Sequence, residues 1–280
     1  MGTRVIVASD VHLCHVDWYQ CPSADRMEYL IEDLKEHHAK RPYEQVLFLG
    51  DYSLDFWAWN NGGSFVRDGV SNTRVFVEQY ASRLPVPYRM LCGNHEQYGE
   101  KAWREITGQG RQFSAVIGGY LFIGCDTFAD ELDPAYHHDG VYTPVDLDFV
   151  RRAMEEYPQL PVILCAHWFD AEKEPPVLDE FLQNEPRITA LFCGHDHLNF
   201  CETFRNTNVP LYHDGAYSYI GAGATFETQM WGFCELTLTE EGVETVYISP
   251  AHSVITESGE RYDHPYTEQH RVFFKRRDKV

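Results

Sequence analysis

The chain of 280 residues is 44% hydrophobic, 24% charged and 14% aromatic, a mixture that excludes a disordered protein and supplies ample side chains for a large core. Its 43 acidic against 23 basic residues give a formal charge of -20 with histidine neutral, a field that repels nucleic-acid polymers and anionic membranes, both of which are held by Lys and Arg clusters. No apolar run approaches the ~20 residues of a membrane helix, and Asp10 follows so closely on Arg4-Val5-Ile6-Val7-Ala8 that no secretory leader is expected before it.

Arg4 to Ala8 reads as a buried strand. Ser23 precedes Met27, Leu30, Ile31 and Leu34, whose spacing lays one apolar stripe along a helix capped by Ser23, with His37-His38 on the solvated side. Gln45 to Leu49 reads as a second strand, Val75 to Leu84 as a second helix, and Val86 to Cys92 as a third strand interrupted by Pro87. This βαβαβ progression implies parallel strands with helices against the sheet. Phe113 to Ile117 and Tyr120 to Cys125 flank Gly118-Gly119 as a hairpin with a two-residue turn. Thr143-Pro144 opens a helix whose face is Leu147, Val150 and Met154.

Pro161 to Cys165 and Ile188 to Cys193 read as buried strands around a short helix near Leu178 to Leu182. From His197 onward strands dominate: Asn199 to Phe204, Leu211 to His213, Phe233 to Leu238 and Val243 to Ile248. No repeat or linker divides the chain, so one domain over 1–250 is expected, with 251–280 as an extension packing on it or trailing from it and Lys275-Arg276-Arg277 as a solvated tail. Of the eight cysteines, Cys92, Cys125, Cys165 and Cys193 end or interrupt apolar runs and none forms a CxxC pair, a pattern of free buried thiols in a reducing, cytoplasmic compartment.

Polar residues gather at the strand ends. Asp10 and His12 follow the first strand, Gly50-Asp51 the second, Gly93-Asn94-His95-Glu96 the third, His167 the run ending at Cys165, and Gly194-His195-Asp196-His197 the run ending at Cys193. Strand ends on one edge of an open α/β sheet form a ligand crevice, so five strands deliver these groups to one place. Imidazole, carboxylate and amide oxygen without thiolate suit Mn, Fe, Zn or Ni and argue against a closed structural zinc site. Two such cations ~3.5–4 Å apart can share and activate a hydroxide and clamp a phosphoryl oxygen. Asp51 has the natural place for a carboxylate bridging both ions.

This ordered set resembles the calcineurin-like metallophosphoesterase superfamily over Asp10 to His197. The resemblance implies an α/β (α+β) fold, a β-sandwich of two mixed sheets flanked by helices in a single domain. It implies one divalent transition-metal ion on Asp10, His12, Asp51 and His197, and a second on Asp51, Asn94, His167 and His195. His95 would be catalytic rather than a ligand, stabilising charge on the phosphate or protonating the leaving oxygen. Glu96 is read as orienting His95 or holding a backbone turn, and Asp196 as a structural hydrogen-bonding group.

The protein phosphatases of that superfamily carry phosphate-gripping arginines after Gly-Asp-Tyr and after Gly-Asn-His-Glu. Here Ser53-Leu54-Asp55-Phe56 and Gln97-Tyr98 stand at those places. A forked guanidinium is the usual partner of a phosphate dianion, so its absence favours a small phosphodiester or nucleotide over a phosphoprotein. Tyr52, Trp57 and Trp59 in the aromatic loop after Asp51 are candidate substrate-stacking residues, with ordinary packing over the sheet edge as the competing reading. The alternative to a hydrolase is a non-catalytic metal-binding scaffold for a protein partner, against which the retention of every ligand and of His95 counts.

Overall fold

The computed structural model describes residues 2–14, 22–56, 58–59, 63–64, 71–132, 139–218, 231–255 and 261–279, the side chains of 58, 59, 63, 64, 254, 255, 262 and 279 excepted. In chain order the elements are β1 (Thr3–Ala8), α1 (Ser23–Lys40), β2 (Gln45–Phe48), the short strands β3 (Ala58–Trp59) and β4 (Gly63–Ser64), α2 (Asn72–Val75), β5 (Tyr88–Met90) and α3 (Glu100–Thr107). Then come β6 (Phe113–Ile117), β7 (Tyr120–Cys125), α4 (Leu147–Glu156), β8 (Val162–Ala166), α5 (Pro176–Asn184) and β9 (Ile188–Cys193). Seven strands finish the chain: β10 (Asn199–Thr203), β11 (Pro210–Asp214), β12 (Phe233–Leu238), β13 (Gly242–Ser249), β14 (His252–Ile255), β15 (Arg261–His264) and β16 (Thr267–Lys275).

Two mixed six-stranded sheets result. The first runs β16-β13-β12-β1-β2-β5, with β1, β2 and β5 parallel and the other neighbours antiparallel. The second runs β10-β11-β9-β8-β7-β6, its middle four strands parallel. Side chains alternate across each strand, so both faces of β1 are used. Val5 and Val7 meet Ile163, Cys165 and Phe192 of the other sheet, while Ile6 and Ala8 meet α1. Burial on both sides explains why these strands read as unbroken apolar runs. A third cluster joins Leu121, Ile123, Val162 and Leu164 to α4 and α5.

Met27, Leu30, Ile31 and Leu34 of α1 are fully buried, roughly 1.5–3 kcal/mol each, so the stripe rather than a cap holds this helix. Indeed Pro22 occupies the cap position, and the Ser23 hydroxyl is spent on the backbone of Cys14. His37 is not solvated: it turns inward to Glu235 at 2.7 Å, on the face that carries the stripe. The second helix starts earlier than its apolar pattern, at Asn72 with Ser71 as cap, and passes through a π turn and a 3-10 turn to Arg83. Asp146, not Thr143, caps α4. The hairpin turn is as expected, with Gly118 and Gly119 both at positive φ.

Residues 267–275 form the edge strand of the first sheet, and Arg277 donates to the carbonyls of Leu182 and Ile188 rather than trailing in solvent. Seven cysteines are free among the described residues, six of them buried. No helix of the described residues is long and apolar enough to cross a membrane.

Candidate metal centre

The carboxyl ends of β1, β2, β5, β8 and β9 meet at one end of the sandwich, and the loops leaving them are tied to one another before any side chain is considered. Asp10 N–H donates to Gly50 O at 3.1 Å and His12 N–H to Asp51 O at 3.0 Å, which prolongs the β1–β2 pairing past the strands. Gly194 N–H donates to His167 O at 2.9 Å, linking the loops after β8 and β9. Asp10, His12, Asp51, His195 and His197 all hold φ between 52° and 70°. Left-handed conformations of that kind cost energy in a non-glycine residue and persist where the surroundings over-determine them.

The glycines of the two longest motifs have a steric reason. A Cβ on Gly93 would collide with the Asp51 carboxylate, and one on Gly194 with Ser9 and the Asp10 carboxylate. Glu96 is completely buried, and it does not orient His95. Its two oxygens accept the backbone N–H groups of Asp51 (2.8 Å), Ser53 (2.8 Å) and Gly93 (2.9 Å), clamping the loop after β2 to the loop after β5. Burial first, and then the nearby Asp51 charge, pushes its carboxyl up to about 8. Arg26, buried on α1, donates to His12 O at 3.1 Å.

Each carboxylate divides its labour. Asp10 Oδ2 accepts from Ser9 Oγ at 2.5 Å and from His195 N–H at 3.0 Å, while Oδ1 faces His197 Nε2 at 3.1 Å and His12 Nε2 at 3.8 Å. Asp51 Oδ1 accepts His95 N–H at 3.1 Å. Its Oδ2 stands amid His167 Nε2 (3.3 Å), His12 Nε2 (3.5 Å) and His95 Nε2 (3.7 Å). Asn94 Oδ1 faces His167 Nε2 at 2.9 Å and His195 Nδ1 at 3.1 Å. Candidate donor atoms of Asp10, His12 and His197, and again of Asp10, Asp51 and His167, lie within 4.8 Å of one another. The eight residues expected from the sequence are thus brought together around Asp51.

The donors fit divalent cations chemically. His167 Nδ1 lies 2.8 Å from Leu49 O, and a carbonyl can only accept, so Nδ1 carries the proton. Nε2 then turns a lone pair toward two acceptors, Asp51 Oδ2 and Asn94 Oδ1, an arrangement that needs a cation or a proton between them. Without a metal the proton wins: burial opposes it, but Asp51 and Asp10 raise His167 to about 10. Burial holds His12 and His195 at about 4, which keeps their nitrogens available. Burial alone would raise Asp10, yet His197 and His167 bring it down to about 2. His95 differs from the others, since its Nε2 lies 3.2 Å from Asn94 Nδ2, an amide donor.

A cleft of about 460 Å³ opens beside Asp51, Asn94, His95, His195 and His197. Its far wall is Phe128, Tyr142 and Trp168, its rim Asp139, Gly140 and Lys173. Trp168 stacks on His195 with centroids 4.3 Å apart and planes at 27°. The length and composition of 130–142 point to a loop overhanging the site, and its Asp139, Gly140 and Tyr142 do line the cleft. Phe128 and Trp168 were missed, although the adjacency of Trp168 to His167 was a signal for the latter.

Tyr52 is not a substrate residue. Its ring is fully buried between Phe76 and Trp103, and its hydroxyl donates to the backbone carbonyls of Phe48 and Leu91. Trp57 and the side chain of Trp59 lie outside the described residues. Asp196 does turn away from the centre, to His213 Nδ1 at 2.9 Å. The places of the absent arginines are tied to each other: Asp55 accepts from Asn72, Thr73 and Ser71 and from the hydroxyl of Tyr98, which stands at the second place.

Comparison with known proteins places this arrangement. The fold is similar to a dimetal phosphatase from Danio rerio, with a TM-score of 0.61 at 11% identity over 95% of this chain and 99% of that one. It is also similar to GAP50 of Plasmodium, described as the anchor in the inner membrane complex, with 0.51 at 13% identity over 96% and 89%. A purple acid phosphatase from yellow lupin seeds gives 0.50 at 14% identity over 94% of this chain and 53% of that one. At such identities the likeness is one of fold. No curated protein matches the sequence. The family model described as calcineurin-like phosphoesterase matches residues 3–199, and the chain belongs to that family.

Proposed function

We propose that the chain hydrolyses a small phosphate ester with two divalent transition-metal ions. The observation that carries this reading is Asp51 Oδ2, which stands between imidazoles contributed from both sides of the crevice. Asp10, His12, Asp51 and His197 would hold one ion, and Asp51, Asn94, His167 and His195 the other. The ions, when bound, supply an activated hydroxide and positive charge against the phosphoryl oxygens. Asp51, common to both sets, would set their spacing, and the Glu96 clamp holds the Asp51 backbone. His95, which lines the cleft, stabilises charge on the phosphate or protonates the leaving oxygen.

At the two arginine positions stand the buried carboxylate of Asp55 and the partly buried Tyr98, whose hydroxyl donates to it, and this supports a phosphodiester or nucleotide over a phosphoprotein. Free buried thiols support a reducing, cytoplasmic setting. The test combines metal analysis with assays on an aryl monoester, an aryl diester and a nucleotide panel, with Mn, Fe, Zn and Ni each supplied. Asp51→Asn should lose metal and turnover together, whereas His95→Ala should keep the metals and lose about 10²-fold or more in kcat. Wild-type turnover in Asp51→Asn would sink the proposal, and metal bound with no turnover on any ester would favour the scaffold reading.

A further inference from the structure

The cleft beside the metal centre is short of positive charge. Asp51 and Asp139 line it, and the chain as a whole carries -20. Among the described residues that line it, Lys173 is the one lysine or arginine. The loop after β8 holds that side chain in place. Asp170, itself buried, accepts the backbone N–H groups of Glu172 and Lys173 on Oδ1 and meets Lys173 Nζ on Oδ2 at 2.8 Å.

The ammonium lies over two aromatic rings, 5.0 Å from the Trp168 centroid and 5.8 Å from that of Tyr142. Tyr142 is fixed in turn by its hydroxyl on Glu174 Oε1 at 2.5 Å, and Trp168 by its stack on His195. A lysine that served solubility alone would have no reason to be drawn over the apolar wall of the cleft. Here the ammonium is reached from the metal centre along one indole. The Lys173 side chain stays 57% exposed, so an incoming anion can reach its charge.

We propose that Lys173 selects substrates whose second ester arm carries an anionic group, a phosphate or a carboxylate, with the arm laid along Trp168 and Tyr142. The proposal rests on the phosphoesterase reading above and deepens it: the metals take the scissile phosphoryl group, and Lys173 takes the second charge. An ammonium is a point charge on a flexible stem, so it accepts either anion where a guanidinium fork would demand matched geometry.

The test uses the metal-loaded full chain and three p-nitrophenyl phosphodiesters alike except in the other arm, which is phenyl, 4-carboxyphenyl or 4-phosphonophenyl. Release of p-nitrophenolate reports all three. The wild type should prefer at least one charged arm over phenyl, with the preference shrinking as KCl is raised. Lys173→Gln should lower the charged-to-phenyl ratio of kcat/KM by about two- to fivefold, chiefly through KM, and Lys173→Arg should restore most of it. The arm that loses more identifies the anion. A wild type without preference, or a ratio that Lys173→Gln does not move, overturns the proposal while the hydrolase reading stands. No p-nitrophenolate from any of the three with metal bound overturns the proposal, and turnover of the aryl monoester and the nucleotide panel then decides the hydrolase reading separately.

Discussion

A metal held by His167 would have to displace a proton from it. Nδ1 is committed to Leu49 O, so Nε2 is the atom that binds either one. Burial disfavours the charged ring, but Asp51 and Asp10 outweigh it and raise the group to about 10. Because the folded value lies above the unfolded one, the charge stabilises the metal-free protein fully below about 6.5, and that contribution is lost as pH rises through about 10. Metal binding near pH 8 should therefore release about one proton from His167, and affinity should climb with pH up to about 10. Calorimetry in buffers of different ionisation enthalpy measures this release. The same release from a His167→Asn variant would contradict it.

The motif residues were legible because their neighbours are constrained: glycine at 93 and 194 is dictated by the carboxylates that press on it. Tyr52 was not legible. An aromatic ring beside a metal-site residue reads alike whether it lines a cleft or fills the core, and only the left-handed turn at Asp51 sends it inward. Trp168 and Lys173 escaped because the course of the loop after β8 brings them to the cleft.

At the scale of elements, the crevice depends on two loops staying in step. Glu96 holds them by three backbone N–H groups that have no water to turn to. Glu96→Ala should cost about 3 kcal/mol or more in denaturant unfolding and weaken metal binding with it, since each orphaned donor keeps its desolvation penalty. A loss below about 1 kcal/mol would show that the loops are held by other means. The irregular helix beyond Asn72 has a similar long-range cause. Asp55 accepts the N–H groups of Asn72 and Thr73, so the helix begins where a distant carboxylate caps it and not where its apolar pattern starts. No local signal reveals such a cap. Strand β16 was illegible for the opposite reason: its Thr-Glu-Gln-His-Arg opening is polar because it forms a sheet edge.

The whole molecule gathers strand ends of both sheets around one centre, within a chain whose net charge is -20. Divalent cations taken up there would bind only the folded state. At a hundred times Kd each site should add ~2.7 kcal/mol, a rise of several degrees in Tm for a chain of this size. Thermal unfolding with Mn and with EDTA should show that rise, and Asp51→Asn should abolish it. Equal melting in both solutions would mean that the centre binds no metal of consequence. The parallel run β1, β2 and β5 was readable in the sequence, as was the site it delivers, because β1 and β2 are buried on both faces and all three strands lead into polar residues. The antiparallel half of the first sheet was not, since β12, β13 and β16 join β1 from the other end of the chain.

The central claim is that two ions flank Asp51. Anomalous scattering from a crystal grown with Mn tests it most directly, and the account predicts two peaks per chain. One should lie among Asp10, His12 and His197, the other among Asn94, His167 and His195, with Asp51 Oδ2 between them. A single peak, or two peaks that leave Asp51 untouched, would contradict it.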